Sequence, residues 1–151
     1  MSTDGLALPD AVRALLLLLP RVIGRAKRTP PPPELAGFAL APRHLSLFHY
    51  LLLDGPMPVN ELAKRLEVAP ATVSLMVGEL SRQGILDRRE DEADRRRTIV
   101  SITPGRRKAV ENWCGAAAGA WRVALEPLTP DQRRLFVETL GTFERELNRE
   151  E

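Results

Sequence analysis

The fold is decided by residues 59–103, whose sequence is VNELAKRLEVAPATVSLMVGELSRQGILDRREDEADRRRTIVSIT. Apolar residues in its first half recur at helical spacing, in two groups separated by a short polar break. They are Leu62, Ala63 and Leu66 in the first group, and Val73, Val77 and Leu80 in the second. The stretch therefore predicts two short amphipathic helices that pack against each other.

The boundaries of the second helix are marked by proline and glycine. Pro70 suits the first position of a helix, because its φ is already helical and its missing N–H is not needed there. Gly84 suits the end, because glycine tolerates the left-handed conformation that follows many helices. Residues 85–89 and 98–102 then predict two strands joined by a charged tip. This order is that of a winged helix-turn-helix.

Such a fold places its second helix in the major groove of DNA, with the N-terminal residues leading. The residues expected at this position are Ala71, Thr72, Ser74 and Leu75. The hairpin beside the helix would bring arginines either to the phosphates or into the minor groove, where the negative potential is concentrated. The arginines of its tip are Arg95, Arg96 and Arg97.

The same segment resembles the MarR family of transcriptional regulators over residues 40–105. The matching motifs are Leu62-Ala63, Thr72-Val73-Ser74, Gly84-Ile85, Asp94-Arg95-Arg96 and Val100-Ser101-Ile102-Thr103, followed by Gly105. The resemblance implies that Arg96 takes the place of the family's wing arginine, which enters the minor groove. It also implies that Asp94 takes the place of the acidic residue that orients this arginine.

The resemblance further implies a homodimer, most often a repressor, that binds an inverted-repeat operator in double-stranded DNA. In that interpretation Thr72 and Ser74 contact bases or phosphates, and Arg82 reaches the backbone. Phosphate charge would come from Arg88, Arg89, Arg95 and Arg97. Leu75 and Glu79 depart from the pattern, since many members have arginine there, so we expect weak or unusual base recognition in the major groove.

The distribution of charge agrees with DNA binding at one end of the molecule. The 151 residues have a formal net charge of only +2. Residues 43–108 contain 12 basic and 9 acidic residues, whereas residues 109–151 contain 5 basic and 8 acidic residues. The asymmetry is modest, but it places the positive charge in the winged segment, which comprises residues 40–105.

Helices on both sides of the winged segment are expected to form a dimer interface. Residues 6–28 predict a helix that is apolar on every side around Leu15 to Leu19, and such a helix needs a second covering surface. Pro20 is expected to kink it. A long helix is predicted to begin at Thr103-Pro104-Gly105. A last helix is predicted to begin at Thr129-Pro130, and its apolar residues are spaced as in the seam of a helix pair. The seam residues are Phe136, Leu140, Phe143 and Leu147.

The predicted fold is mainly α with a small β-hairpin wing. Residues 1–39 would form an N-terminal dimerisation helix and a proline-rich connector, in which Thr29 to Pro33 is a stiff extended spacer. Residues 40–105 would form the winged helix-turn-helix domain, including a scaffold helix that ends at Asp54-Gly55-Pro56. Residues 106–151 would form the C-terminal dimerisation helices.

The resemblance also implies release from DNA by a small aromatic or phenolic ligand. Candidate pocket residues offer charge, hydrogen bonding and stacking, although each is also an ordinary core or surface residue type. They are Arg43, His44, Tyr50 and Trp113. A ligand acts in this way only if it prefers a spacing of the two winged domains that cannot bind DNA.

Other classes of function have less support. One cysteine, Cys114, excludes an internal disulfide, and we expect it to be a packed residue. His44 and His49 lie on different helix faces, and no nucleophile–base pair or phosphate-binding loop is present, so we expect no enzyme, metal or cofactor. The apolar run from Ala14 to Leu19 is too short to span a membrane, which favours a cytoplasmic location. The main alternative is a winged helix that binds another protein instead of specific DNA.

Overall fold

The computed structural model describes residues 5–149, so the outermost parts of the predicted segments 1–39 and 106–151 lie outside the described residues. Helices occupy most of this range. They are α1 (Leu8–Lys27), α2 (Arg43–Asp54), α3 (Val59–Leu66), α4 (Pro70–Arg82), α5 (Arg107–Leu125) and α6 (Pro130–Asn148). The strands are β1 (Met57–Pro58), β2 (Leu86–Glu90) and β3 (Thr98–Ile102). The predicted fold class is confirmed.

The three strands form one small antiparallel sheet in the order β1-β3-β2. The hairpin of β2 and β3 runs from the pair Leu86 and Ile102 at its base to the pair Glu90 and Thr98 near its tip. Met57 of β1 pairs with Val100 on the other side of β3. The base of the wing is therefore tied to the segment that enters α3.

The two ends of α4 follow the sequence signals, whereas the end of α3 does not. Ala69 has extended backbone before Pro70 begins α4, as predicted. Gly84, with φ of 78°, follows the end of α4. Glu67 adopts the left-handed conformation, with φ of 55°, at the end of α3. This residue has no glycine to mark it, so the tight turn between the two helices depends on an uncommon backbone conformation.

The core lies between α2, α3, α4, the sheet and the start of α5. Its fully buried members include Leu47 and Phe48 of α2, Leu62 of α3 and Leu80 of α4. The indole of Trp113 packs edge-on against Phe48, with ring centroids 6.0 Å apart. The rings of this aromatic pair join α5 to the winged segment.

The proline-rich connector differs from a simple spacer. Pro33 already begins a short 3₁₀ turn that extends to Leu35, so the extended part ends one residue earlier than predicted. Leu35 is fully buried in the core. In addition, Trp113 Nε1 donates a hydrogen bond of 3.3 Å to the carbonyl of Thr29. The connector is thus bonded to α5 at its first residue and followed by a residue buried in the core.

The chain divides into two compact units, one ending at Cys114 and one beginning at Gly115. Within the second unit, Thr129 and Gln132 form a reciprocal capping box at the start of α6. Trp121 and Phe136 also contact each other, with ring centroids 5.7 Å apart. A 3₁₀ turn at Pro104–Arg106 precedes α5, so the α-helix begins at Arg107, later than the sequence predicted.

Helices α1 and α6 contain no buried residue. Leu16 and Leu17 of α1 are 67% and 55% exposed, and Pro20 lies inside a helix that continues past it. On α6, Phe143 and Leu147 are 48% and 55% exposed. The apolar character that the sequence indicated is therefore present on both helices, and among residues 5–149 these side chains are exposed. Among the helices of residues 5–149, none combines the length and the hydropathy of a membrane span.

Candidate nucleic-acid interface

Helix α4 separates its residues into a buried face and an exposed face. Val73, Val77 and Leu80 are at most 1% exposed and pack into the core. The predicted contact residues Ala71, Thr72, Ser74 and Leu75 are all exposed. Leu75 is 69% exposed. The N-terminal half of α4 therefore presents a convex surface that fits the width of a major groove.

The tip of the wing holds one arginine in a defined orientation. The carboxylate of Asp94 accepts hydrogen bonds from the backbone N–H of Arg96, at 3.1 Å, and from its Nε, at 3.3 Å. The Arg96 side chain nevertheless remains 92% exposed, whereas that of Asp94 is 36% exposed. Asp94 thus holds the Arg96 guanidinium at its Nε atom, and the rest of the guanidinium faces solvent.

The backbone of the tip is closed by further hydrogen bonds. Asp91 N–H donates to the Arg97 carbonyl at 3.0 Å, and Arg97 N–H donates to the Asp94 carbonyl at 2.9 Å. The Arg97 guanidinium also lies 3.9 Å from the Asp91 carboxylate. The tip is therefore an ordered turn, and Arg97 is more restrained than its exposed neighbour Arg95.

Three more predicted arginines lie along the same part of the molecule. Arg88 and Arg89 occupy consecutive positions of β2, opposite Val100 and Ile99, and both are exposed on alternate faces of the hairpin. Arg82 is exposed in the last turn of α4, and its guanidinium lies over Gly78, 3.5 Å from where a Cβ would stand. These positions supply positive charge beside the exposed face of α4.

Comparisons with known proteins agree with this geometry. A family model described as the MarR family matches residues 40–97. Residues 40–97 thus carry the sequence pattern of the MarR family.

Individual relatives extend the likeness over more of the chain. The HTH-type transcriptional repressor YetL of Bacillus subtilis is 28% identical over 93 residues, which cover 61% of this chain and 56% of that protein. The match thus spans little more than half the length of that repressor. The structure of a probable transcriptional regulator from Pseudomonas aeruginosa is 26% identical, with a TM-score of 0.57, and covers 85% of this chain and 96% of its own.

The fold is also that of a protein crystallised in a DNA-binding state. The structure of S. aureus MepR in DNA-binding conformation has a TM-score of 0.71 at 19% identity, covering 90% of this chain and 98% of MepR. At this level of identity the likeness shows the fold alone. It extends beyond the winged segment into the flanking helices.

The four residues predicted to line a ligand pocket are not brought together. Arg43 and His44 line an open cavity of about 430 Å³. Its other lining residues are Ala39, Leu40, Ala41, Glu79 and Gln83. Tyr50 and Trp113 do not line it, and their polar atoms donate to the carbonyls of Arg65 and Thr29 respectively. A ligand role for the four together stays a prediction.

Two residues of this cavity carry polar contacts that the sequence did not suggest. The Glu79 carboxylate lies 3.8 Å from the Arg43 guanidinium. Gln83 accepts a hydrogen bond of 2.8 Å from the N–H of Ala39, across 44 residues of sequence. No spacing rule connects positions so far apart in the chain. Both contacts place the C-terminal half of α4 against the start of the winged segment.

His44 is buried and neutral in this environment. It is 2% exposed, and its Nδ1 accepts a hydrogen bond of 3.0 Å from Ala41 N–H. Burial, and secondarily the positive charge of Arg43, lower the pKa of His44 below its ordinary value of 6.5. The imidazole therefore acts as a packed hydrogen-bond acceptor at the start of α2.

Cys114 is buried next to Trp113, as expected of a packed residue. Burial raises the pKa of its thiol to about 11, so the reactive thiolate is scarce at neutral pH. Among residues 5–149, no three side chains of His, Cys, Asp or Glu are placed to hold a metal ion.

Proposed function

We propose that this chain is a homodimeric MarR-type transcriptional regulator that represses by binding an inverted-repeat operator. The single observation that carries the proposal is the arrangement of Asp94 and Arg96 at the wing tip. Asp94 orients an arginine that remains 92% exposed. An exposed arginine that is already restrained loses little entropy when it enters a narrow groove.

Helix α4 and the wing have complementary roles in this proposal. Thr72 and Ser74 contact base edges or phosphates from the major groove, and Arg82 contacts the backbone. Arg96 enters the adjacent minor groove, where the negative potential is strong. Arg88, Arg89, Arg95 and Arg97 neutralise phosphates around these two contacts.

The dimer is supported by the exposed apolar surface of the flanking helices. Leucines that are half to two-thirds exposed on α1, such as Leu15, Leu16 and Leu17, are unfavourable in water, and a second copy removes them from it. Two-fold symmetry then presents two α4 helices about one turn of DNA apart, roughly 34–36 Å, which matches an inverted repeat.

Regulation by a small aromatic or phenolic ligand is part of the proposal. The cavity beside Arg43 and His44 supports it, because Glu79 of the same cavity belongs to α4. A bound ligand that separates Glu79 from Arg43 changes the surroundings of the DNA-contacting helix. Addition of phenol or benzoate to the protein–DNA complex tests this part, and release of DNA at millimolar concentration is the expected result.

The main test is fluorescence anisotropy with DNA from upstream of the chain's own gene and with a scrambled duplex. Salt is varied from about 50 to 200 mM, the range in which phosphate contacts weaken measurably. We expect Arg96→Ala to weaken binding about tenfold and to reduce the salt slope by about one. Arg149→Ala, which removes an exposed arginine at the end of the described chain, is the matched control and should leave both unchanged.

Asp94→Ala separates orientation from charge. This variant keeps every arginine of the wing but removes the carboxylate that holds Arg96, so we expect a smaller preference for the upstream DNA with a salt slope that does not fall. If wild type binds neither duplex at 50 mM salt, DNA regulation is excluded and a protein partner becomes the better explanation of the winged fold.

A further inference from the structure

One row of residues along α4 combines the exposed residues Ala71, Leu75 and Arg82 with Gly78, which is buried. Ala71, Leu75, Gly78 and Arg82 follow one another at spacings of four, three and four, so they lie along one line of the helix surface. This line is opposite the buried residues Val73, Val77 and Leu80. The centre of the surface that faces a bound duplex is therefore apolar in its first half.

The usual side chains for reading purines are missing from this surface. Guanine is read mainly by arginine or lysine, and adenine by asparagine or glutamine. From Pro70 to Ser81, α4 contains none of these four residue types. The carboxylate of Glu79, which has the chemistry to read cytosine, lies 3.8 Å from the Arg43 guanidinium.

Leu75 is the largest side chain available near the leading end of α4. It is 69% exposed, and Ala71 precedes it by one turn on the same line. One group in the major groove is apolar, namely the C5-methyl group of thymine. We infer that Leu75, supported by Ala71, selects thymine by contact with this methyl group, an inference that rests on the proposed DNA-binding function.

The remainder of the row limits this contact to a few base pairs. Gly78 has no side chain, and the guanidinium of Arg82 folds back over it. The apolar patch therefore ends after Leu75 and is followed by a positive charge suited to a phosphate. The chain accordingly distinguishes thymine from other bases at the positions under Ala71 and Leu75, and it contacts the backbone beyond them.

Replacement of thymine by deoxyuridine tests the inference, because it removes the methyl group and keeps base pairing. The upstream DNA is amplified with either dTTP or dUTP, and the affinities of wild type, Leu75→Ala and Leu53→Ala are measured for both products. Leu53 is an 80% exposed leucine on α2, so Leu53→Ala controls for the loss of a surface leucine. A contacted methyl group contributes about fourfold to affinity, so two half-sites give roughly fifteenfold.

We expect wild type and Leu53→Ala to bind the deoxyuridine product roughly fifteenfold more weakly than the thymine product. Leu75→Ala should bind the thymine product more weakly than wild type and should lose most of the difference between the two products. An equal loss in wild type and Leu75→Ala would overturn the inference while leaving DNA binding intact. No binding of either product by wild type at 50 mM salt would instead remove the proposed function and the inference together.

Discussion

Apolar residues are buried in the winged segment but exposed on helix α1. Leu47, Phe48 and Leu62 are fully buried by other elements of the same chain. Leu16 and Leu17, on a helix of 20 residues, remain more than half exposed. The difference indicates that the winged segment completes its own core, whereas α1 has the composition of a core but remains exposed among residues 5–149.

Phe48→Ala gives the largest expected effect. Phe48 is fully buried against Trp113, so its truncation removes apolar contacts and leaves a cavity in the winged segment. We expect the free energy of unfolding to fall by about 3–5 kcal/mol. Urea titrations followed by far-UV circular dichroism measure this loss. Leu53→Ala, on the exposed side of the same helix, should change it by less than about 0.5 kcal/mol.

A charged residue on α1 tests whether its exposed leucines are covered by a second copy of the chain. We expect Leu16→Glu to weaken self-association by about 3 kcal/mol, because a carboxylate at a dimer interface is buried without a partner. Sedimentation velocity at micromolar concentration should show wild type as a dimer and the variant as a monomer with an intact circular dichroism spectrum. Leu53→Glu is the control. A monomeric wild type would show that α1 is covered by something other than a second copy.

Acid should destabilise the winged segment through His44. Its pKa is lowered on folding, so the unfolded chain binds the proton more tightly. The stabilising effect of the neutral form is complete above pH 6.5 and is lost as the pH falls through the folded-state pKa, with a slope of at most about 1.4 kcal/mol per pH unit. Urea midpoints between pH 5 and 8 should show a smaller slope in His44→Gln. The variant His49→Gln is the comparison, and a slope unchanged in His44→Gln would assign it to other groups.

The last prediction concerns the reactivity of the buried Cys114 thiol. With a pKa of about 11, about a thousandth of the thiol is ionised at pH 8. Alkylation by iodoacetamide in the native protein should therefore be far slower than in urea, as measured by mass spectrometry. Rapid alkylation of the native protein would mean that the start of α5 opens. The core next to the winged segment would then be less completely closed than the burial of its residues indicates.

Local signals explain which elements were predictable from the sequence. Pro70, Gly84 and Thr129 each determine the backbone at their own position, and the helix boundaries near them are as predicted. The predicted start of α5 at Thr103-Pro104-Gly105 was a few residues early, because a 3₁₀ turn precedes the helix. The end of α3 at Glu67 was not marked, since a non-glycine residue adopts the left-handed conformation there.

Long-range contacts explain what the sequence did not give. The burial of Leu35 and the bond from Ala39 to Gln83 depend on segments far apart in the chain. The four ligand candidates were chosen by residue type, and sequence position could not show which of them line the same cavity. Tyr50 and Trp113 have the chemistry of pocket residues, yet each donates to a backbone carbonyl near its own packing partners. The DNA-contacting roles of the exposed residues stay predictions until binding is measured.

The turn at Ile85 joins the two proposed contacts through a single buried residue. Ile85 N–H donates to the Leu80 carbonyl of α4, and its own carbonyl accepts from Thr103 N–H after the hairpin returns. Ile85 is fully buried between these bonds. The end of α4 and both roots of the wing are thereby held at one point and cannot slide along DNA independently. We therefore expect each operator half-site to have a fixed length, so that one base pair inserted between the two contacted stretches is not tolerated.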